Sequence, residues 1–267
     1  ALDRQLQAYG LHFDHNLHAL RIVEYFEQRY AGFRGLNLTL AVREGIIKHS
    51  RDYSLAEHPE LRPYLLNELP PLEAQLIDLA DEIAYLTADM DDGVEAEILS
   101  IEDLRDNVSL FDEFYRKMEL RYPTAAPKLL FHEALKRMLN ALVNDLVVNT
   151  HCRVTTGGIQ SLAAVRHAGH RLAAFSDEME QRRHQAKQYL LQKLYHATYL
   201  ERDHALAEET IAGLFQYWMQ NPLELPASHE TQIASEGAPR VVADYIAGMT
   251  DQFIEAQWLQ VQAFPEK

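Results

Sequence analysis

Leu79-Ala80-Asp81-Glu82-Ile83-Ala84-Tyr85-Leu86-Thr87-Ala88-Asp89-Met90-Asp91-Asp92-Gly93 reads as one amphipathic helix. At about 100° per residue, Asp78, Asp81, Tyr85, Asp89 and Asp92 fall within roughly an 80° arc, while Leu76, Leu79, Ala80, Ile83 and Leu86 take the opposite side. One face packs and the other gathers carboxylates. Asp81, Tyr85 and Asp89 follow one another at i, i+4 spacing and share a face. Neighbouring carboxylates repel and raise one another's pKa unless a cation or a set of donors sits among them. Such a face is either a place for a metal ion or a solvated acidic surface.

Helical periodicity extends outward in both directions, with caps at the expected starts and no alternating strand, so the fold class is all-α. Upstream, Asp14 to Tyr30 is amphipathic through Leu17, Leu20, Ile22, Val23 and Phe26, with Gly32 and Gly35 closing it, and a short helix covers Thr39 to Lys48. Pro70-Pro71 starts the acidic helix and Gly93 ends it. Ser100 and Ser109 read as capping hydroxyls. Pro127 to Val148 reads as a long buried helix, and Thr155-Thr156-Gly157-Gly158 is the clearest break. Helices are expected over Ser161 to Phe175, over Asp177 to Asn221 with a kink near Ala197 to Tyr199, and over Arg240 to Gln262. Pro222 to Pro239 reads as a linker.

Composition bounds the function. The 267 residues carry a net charge of −15, which disfavours nonspecific binding to nucleic acid or an anionic membrane. The charge is segregated: 13 acidic residues and one cation, Arg105, lie between Glu68 and Asp106. Arg166, Arg171, Arg182, Arg183, Lys187 and Lys193 follow in one later stretch. Were the fold to bring these segments together, the pair could hold a metal ion on one side and a phosphate chain on the other. Cys152 is the only cysteine, which excludes an intrachain disulfide and a cysteine-rich zinc site and fits a reducing cytoplasm. No apolar run approaches a membrane span, no signal peptide opens the chain, and Ala1 in place of Met suggests a processed or truncated product.

Four collinear segments resemble the HD-domain dNTP triphosphohydrolases, the bacterial dGTPase-like family. Phe13-Asp14-His15-Asn16 with Leu20-Arg21-Ile22 is similar to its "FEHN…LRI" segment, and Gly35-Leu36-Asn37-Leu38-Thr39 with Arg43-Glu44-Gly45-Ile46 to "GLNLT…REGI". Leu72-Glu73-Ala74-Gln75 leading to Asp78-Leu79-Ala80-Asp81-Glu82-Ile83-Ala84-Tyr85 resembles "LEAQ…DLADEIAY". Asp244-Tyr245-Ile246-Ala247-Gly248-Met249-Thr250-Asp251 resembles "DYIAGMTD". In the family the first three carry chemistry, and the last reads as packing.

The resemblance implies an HD-domain-like helical bundle with a C-terminal helical extension, divided into residues 1–152, the end of the catalytic domain, and residues 153–267, packing on it. It implies hydrolysis of a dNTP, with dGTP a candidate, to deoxynucleoside and tripolyphosphate, using a divalent metal (Mg, Mn or Fe). Asp81 is implied as a metal ligand, His15 as a proton or hydrogen-bond donor near the phosphates, and Tyr85 and Asp89 as the lining of the deoxynucleoside pocket. Tyr195 is similar to the tyrosine of a "MYRH" segment, although His196-Ala197 follow it here. Arg166, Arg171 and Lys187 are candidates for triphosphate contacts by charge. A homo-oligomer is expected, with Ile211 to Trp218 as a possible interface.

The family's other metal ligands, one His and a His-Asp pair, belong to a stretch that would precede Ala1, so the chain reads as lacking three of four ligands. The rival reading is therefore a noncatalytic nucleotide-binding or oligomer-forming helical module.

Overall fold

A computed structural model describes residues 1–194 and 198–263. Among them every element is helical, apart from one isolated bridge between Gln28 and Gly35, as the periodicity requires. The chain forms two compact units, Ala1–Leu36 with Thr198–Lys267, and Asn37–Ala197. The expected division after residue 152 does not coincide with this partition and falls inside one continuous helix.

The first unit contains α1 (Leu2–Gln7), α2 (His15–Arg21) and a π-helical turn over Ile22–Phe26. From the other end of the chain it takes α10 (Thr198–Gln220), α11 (Ala227–Glu230), α12 (Ile233–Glu236), α13 (Ala238–Ala247) and α14 (Asp251–Ala263). Asp14 caps α2 by accepting from Leu17 N at 2.9 Å. The helix expected to reach Tyr30 stops at Phe26, because Gly35 N and Leu36 N return to Glu27 O and Val23 O. Leu214, Phe215 and Trp218 are buried with Leu6, Val241, Val242 and Ile246, so the segment Ile211 to Trp218 spends its large apolar side chains in this core. The stretch read as a linker folds into short helices: Leu225 is buried, and α11 and α12 pack on α13. The helix expected over Arg240 to Gln262 is two, parted at Gly248-Met249-Thr250, where Thr250 Oγ1 accepts from Phe253 N at 3.3 Å.

The second unit contains α3 (Leu40–Ile47), a 3₁₀ turn (Pro59–Tyr64), α4 (Leu72–Glu95), α5 (Ile101–Asn107), α6 (Ser109–Arg121), α7 (Pro127–Thr156), α8 (Leu162–Arg166) and α9 (Asp177–Lys193). α4 packs on α7 and α9, and α6 on α7, around Ile83, Leu86, Met90, Phe111, Phe131 and Leu190. Gly93 lies inside α4 rather than ending it. A Cβ there would stand 2.6 Å from Leu99 Cδ1, so the position serves close approach. Ser100 caps α5, whereas Ser109 sits in the first turn of α6 and donates to Gln185 instead. α7 runs to Thr156 and is half-buried rather than wholly buried, since Leu129, Val147 and Val148 are exposed.

The segment Ser161 to Phe175 is helical only over α8. Tertiary partners take over its later backbone groups: Gln75 Oε1 accepts from Leu172 N at 2.7 Å, and Asn149 Nδ2 donates to Ala174 O and Phe175 O, each at 2.8 Å. Ser176 then caps α9.

Candidate functional site

α4 begins immediately after Pro71 and buries Ile83, Leu86 and Met90 at helical spacing. That burial turns Asp81, Tyr85 and Asp89 outward onto a cavity of about 510 Å³ within the second unit. Ser50, Glu82 and Leu86 also line it from this side, and α9 contributes Arg183, Lys187, Leu190 and Leu191. Leu86 and Leu190 make an apolar floor, and Tyr85, 61% exposed, stands as a wall.

The acidic and basic segments therefore meet, and ion pairs join them. Glu82 accepts from Arg183 Nη1 and, at 3.2 Å, from Lys187 Nζ. Glu180 takes Arg183 Nη2 at 2.6 Å and Nε at 3.0 Å. The hydrogen bonds from Arg183 hold the Glu180 carboxyl below the usual range against the opposing effect of burial. For Arg183 itself, burial opposes the charge, but the Glu180 bonds and the charges of Glu82 and Glu180 outweigh it and raise the pKa. Its guanidinium also lies 5.5 Å from the Phe175 ring. Arg183 thus uses three of its five N–H groups and Lys187 one of three in these bonds, leaving donors on the cation side of the cavity. An apolar floor, a phenol ring, carboxylate acceptors and two cations suit a ligand with a sugar-like portion and an anionic portion.

Among the residues chosen from sequence, Asp81, Tyr85 and Asp89 come together here with Lys187. Arg166 and Arg171 do not line this cavity. Arg166 is held by Glu44 at 2.6 Å and by Glu68 at 3.3 Å, and Arg171 by Asp78. Asp78 also has His49 Nδ1 2.5 Å away and accepts from Ser50 N at 3.2 Å, which takes it out of the row of carboxylates available for a ligand. His15 opens α2 in the other unit and is exposed. Tyr195 lies outside the described residues. Glu82, Ser50, Leu190 and Leu191 were not selected from sequence. The i, i+4 spacing of Arg183 and Lys187 was the available signal for the cation side, but Glu82 as their shared partner is a tertiary fact.

A family model described as a phosphohydrolase-associated domain matches residues 173–260. A deoxyguanosinetriphosphate triphosphohydrolase-like protein of Geobacter sulfurreducens is 36% identical over 254 residues, covering 94% of this chain and 65% of the relative. Proteins of the same description from Azoarcus sp. and Thiobacillus denitrificans are 39% and 37% identical, covering 95% of the chain in each case and 66% and 67% of the relative. The chain belongs to the dGTPase-like family. It spans about two thirds of the length of these dGTPase-like relatives, 65 to 67%. The region matched as phosphohydrolase-associated begins before α9 and ends in α14, so it includes both cavity cations and the Asp244-Tyr245 segment.

The divalent metal implied by the dGTPase-like resemblance finds one candidate ligand, the exposed carboxylate of Asp81. Among the described residues no three His, Cys, Asp or Glu side chains gather to hold a metal ion. A single carboxylate does not make a site for a hard divalent cation. The described residues of this chain do not by themselves fit the metal. No described helix is long and apolar enough to cross a membrane.

Proposed function

We propose that the protein carrying this chain is a deoxynucleoside triphosphate triphosphohydrolase, and that the cavity between α4 and α9 receives the deoxynucleotide. The observation that supports this reading most directly is the placement of Asp81, Tyr85 and Asp89 on one cavity with Arg183 and Lys187. Tyr85 packs its ring against the deoxyribose, where a 2′-hydroxyl would be unwelcome. Asp89 accepts a hydrogen bond from the nucleoside, and Lys187 and Arg183 meet phosphate oxygens with their remaining donors. Water attacks the α-phosphorus, the bond to the 5′-oxygen breaks, and that oxygen takes a proton to leave as deoxynucleoside, with tripolyphosphate as the other product. His15 is proposed as the donor of that proton. Asp81 is proposed as one metal ligand of the intact protein, its companions lying outside the described residues. dGTP, named for the relatives, is the first substrate to try. Self-association and a cytoplasmic setting belong to the same proposal.

The lack of a metal-holding group among the described residues favours a second reading, a noncatalytic nucleotide-binding chain. The experiment is incubation of the intact protein with each dNTP and Mg or Mn, assaying tripolyphosphate and free deoxynucleoside by anion exchange. Release of both, abolished by Asp81→Ala and weakened about tenfold in dNTP affinity by Tyr85→Ala but not Tyr85→Phe, is expected. Binding of dNTP without release would establish the second reading, and neither binding nor release would refute both.

A further inference from the structure

A second cavity, of about 570 Å³, lies wholly within the other unit, between α2, the π turn, α11, α13 and the start of α14. Asp244, only 4% exposed, lies against it and accepts from His18 Nδ1 at 3.2 Å and from Arg21 Nη2 at 2.7 Å. Arg21 also holds Glu236. When Nδ1–H is donated to Asp244, the neutral imidazole presents Nε2 as a lone pair. His18 is 7% exposed and lines the cavity, and its Nε2 is buried with no hydrogen-bond partner among the described residues. A buried polar atom left unmatched is costly, and here it lies beside a space large enough for a ligand.

The walls are aromatic. The Phe26 and His229 rings are 6.4 Å apart and the His229 and Tyr245 rings 4.9 Å apart, with Phe253 at the edge. Glu27, also in the lining, is held by the exposed Arg29 at 3.2 Å, a pair of small strength. Three carboxylates, Glu27, Asp244 and Glu236, thus stand against two guanidiniums, Arg21 and Arg29. Burial pushes the His229 imidazole down against the opposing charge of Asp244, so this ring adds no cation near neutral pH. π turns of the kind at Ile22–Phe26 are frequent at functional sites.

We propose that this cavity binds an organic ammonium ion that carries N–H donors, one N–H donating to His18 Nε2 and the charge resting against the aromatic walls and Glu27. The chemistry is that of a primary or secondary alkylamine. It rests on different residues from the reading of the α4–α9 cavity.

The test uses the full 267-residue chain, labelled with ¹⁵N histidine, at a pH of about 8, where the ¹⁵N shifts themselves report the tautomer. n-Butylammonium, tetramethylammonium and 1-butanol are titrated separately while the His18 Nε2 resonance is followed. A saturable shift with n-butylammonium is expected, weakened about fivefold or more by Glu27→Gln and by Phe253→Ala, both at positions whose change leaves the buried His18–Asp244 pair in place. Butanol should bind at least about fivefold more weakly, and tetramethylammonium, without an N–H, should leave the Nε2 resonance unmoved. No saturable shift, an equal response to butanol, or an affinity unchanged in both variants would overturn the proposal.

Discussion

Glu44→Ala should be among the most destabilising single changes available to the second unit. Glu44 is fully buried, accepting from Lys48 Nζ at 2.8 Å and from Arg166 Nη1 and Nη2 at 2.7 and 2.6 Å. Lys48 is 6% exposed and the Arg166 side chain 11%, so the substitution strands two cations away from water. Breaking a buried ion pair by removing one partner costs about 3–5 kcal/mol. Two features hold the cost toward the lower end. Lys48 keeps the carbonyls of Leu65 and Glu68 at 2.7 and 2.8 Å, and Arg166 keeps the Glu68 carboxylate at 3.3 Å. Burial already lowers the Lys48 pKa, with Glu44 opposing it, so without Glu44 the amine sheds its proton more readily. A loss of about 3 kcal/mol is expected, a large share of the 5–15 kcal/mol that typically holds a protein folded. Urea denaturation of the chain followed by far-UV circular dichroism measures it. Glu44→Ala combined with Arg166→Met should lose less than the two single losses added together, because the second change removes a stranded charge. A loss below about 1 kcal/mol, or strict additivity in the double variant, would refute the reasoning.

Gly35 has φ +75°, and a Cβ there would stand 2.3 Å from Glu24 O, so Gly35→Ala should lower stability by more than about 2 kcal/mol, and an unchanged melting temperature would contradict this. At Gly213 a Cβ would meet the Trp258 ring at 2.2 Å; Gly213→Ala in a Trp218→Phe background should displace Trp258 and red-shift its emission, with about 1–3 kcal/mol lost. Hydrogen bonds from Lys117 and then Arg182 lower the Glu113 pKa, and those from Arg183 lower that of Glu180. These carboxylates therefore contribute stability that is complete above the unfolded glutamate value of about 4.3 and is lost as pH falls through the lower folded values. The double variant Glu113→Gln/Glu180→Gln should show a shallower acid decline in denaturant midpoints than the parent, and identical declines would count against the assignment.

The acidic face of α4 was legible because its period needs only neighbours four residues apart, and the cap at Ser100 is equally local, whereas Ser109 lies one residue inside its helix. What sequence did not disclose was set by distant partners. Gln75 and Asn149 satisfy the backbone around Leu172 to Phe175 and so end a helix that the composition would allow to continue. Glu82 claims both cavity cations across about a hundred residues, which no spacing rule anticipates. The same distinction separates structural from chemical residues within the family segments. Glu44, in the segment similar to "REGI", is wholly occupied by Arg166 and Lys48, and Gly35, opening the segment similar to "GLNLT", is demanded by Glu24 O. Arg21 and Asp244, from the first and last resembling segments, bind each other across 223 residues of sequence. These residues have an architectural reason to stand where they do whether or not any ligand is bound. Asp81, Tyr85 and Asp89 differ: they bring acidic and aromatic side chains onto an open cavity, and the proposed chemistry stands or falls with substitutions there.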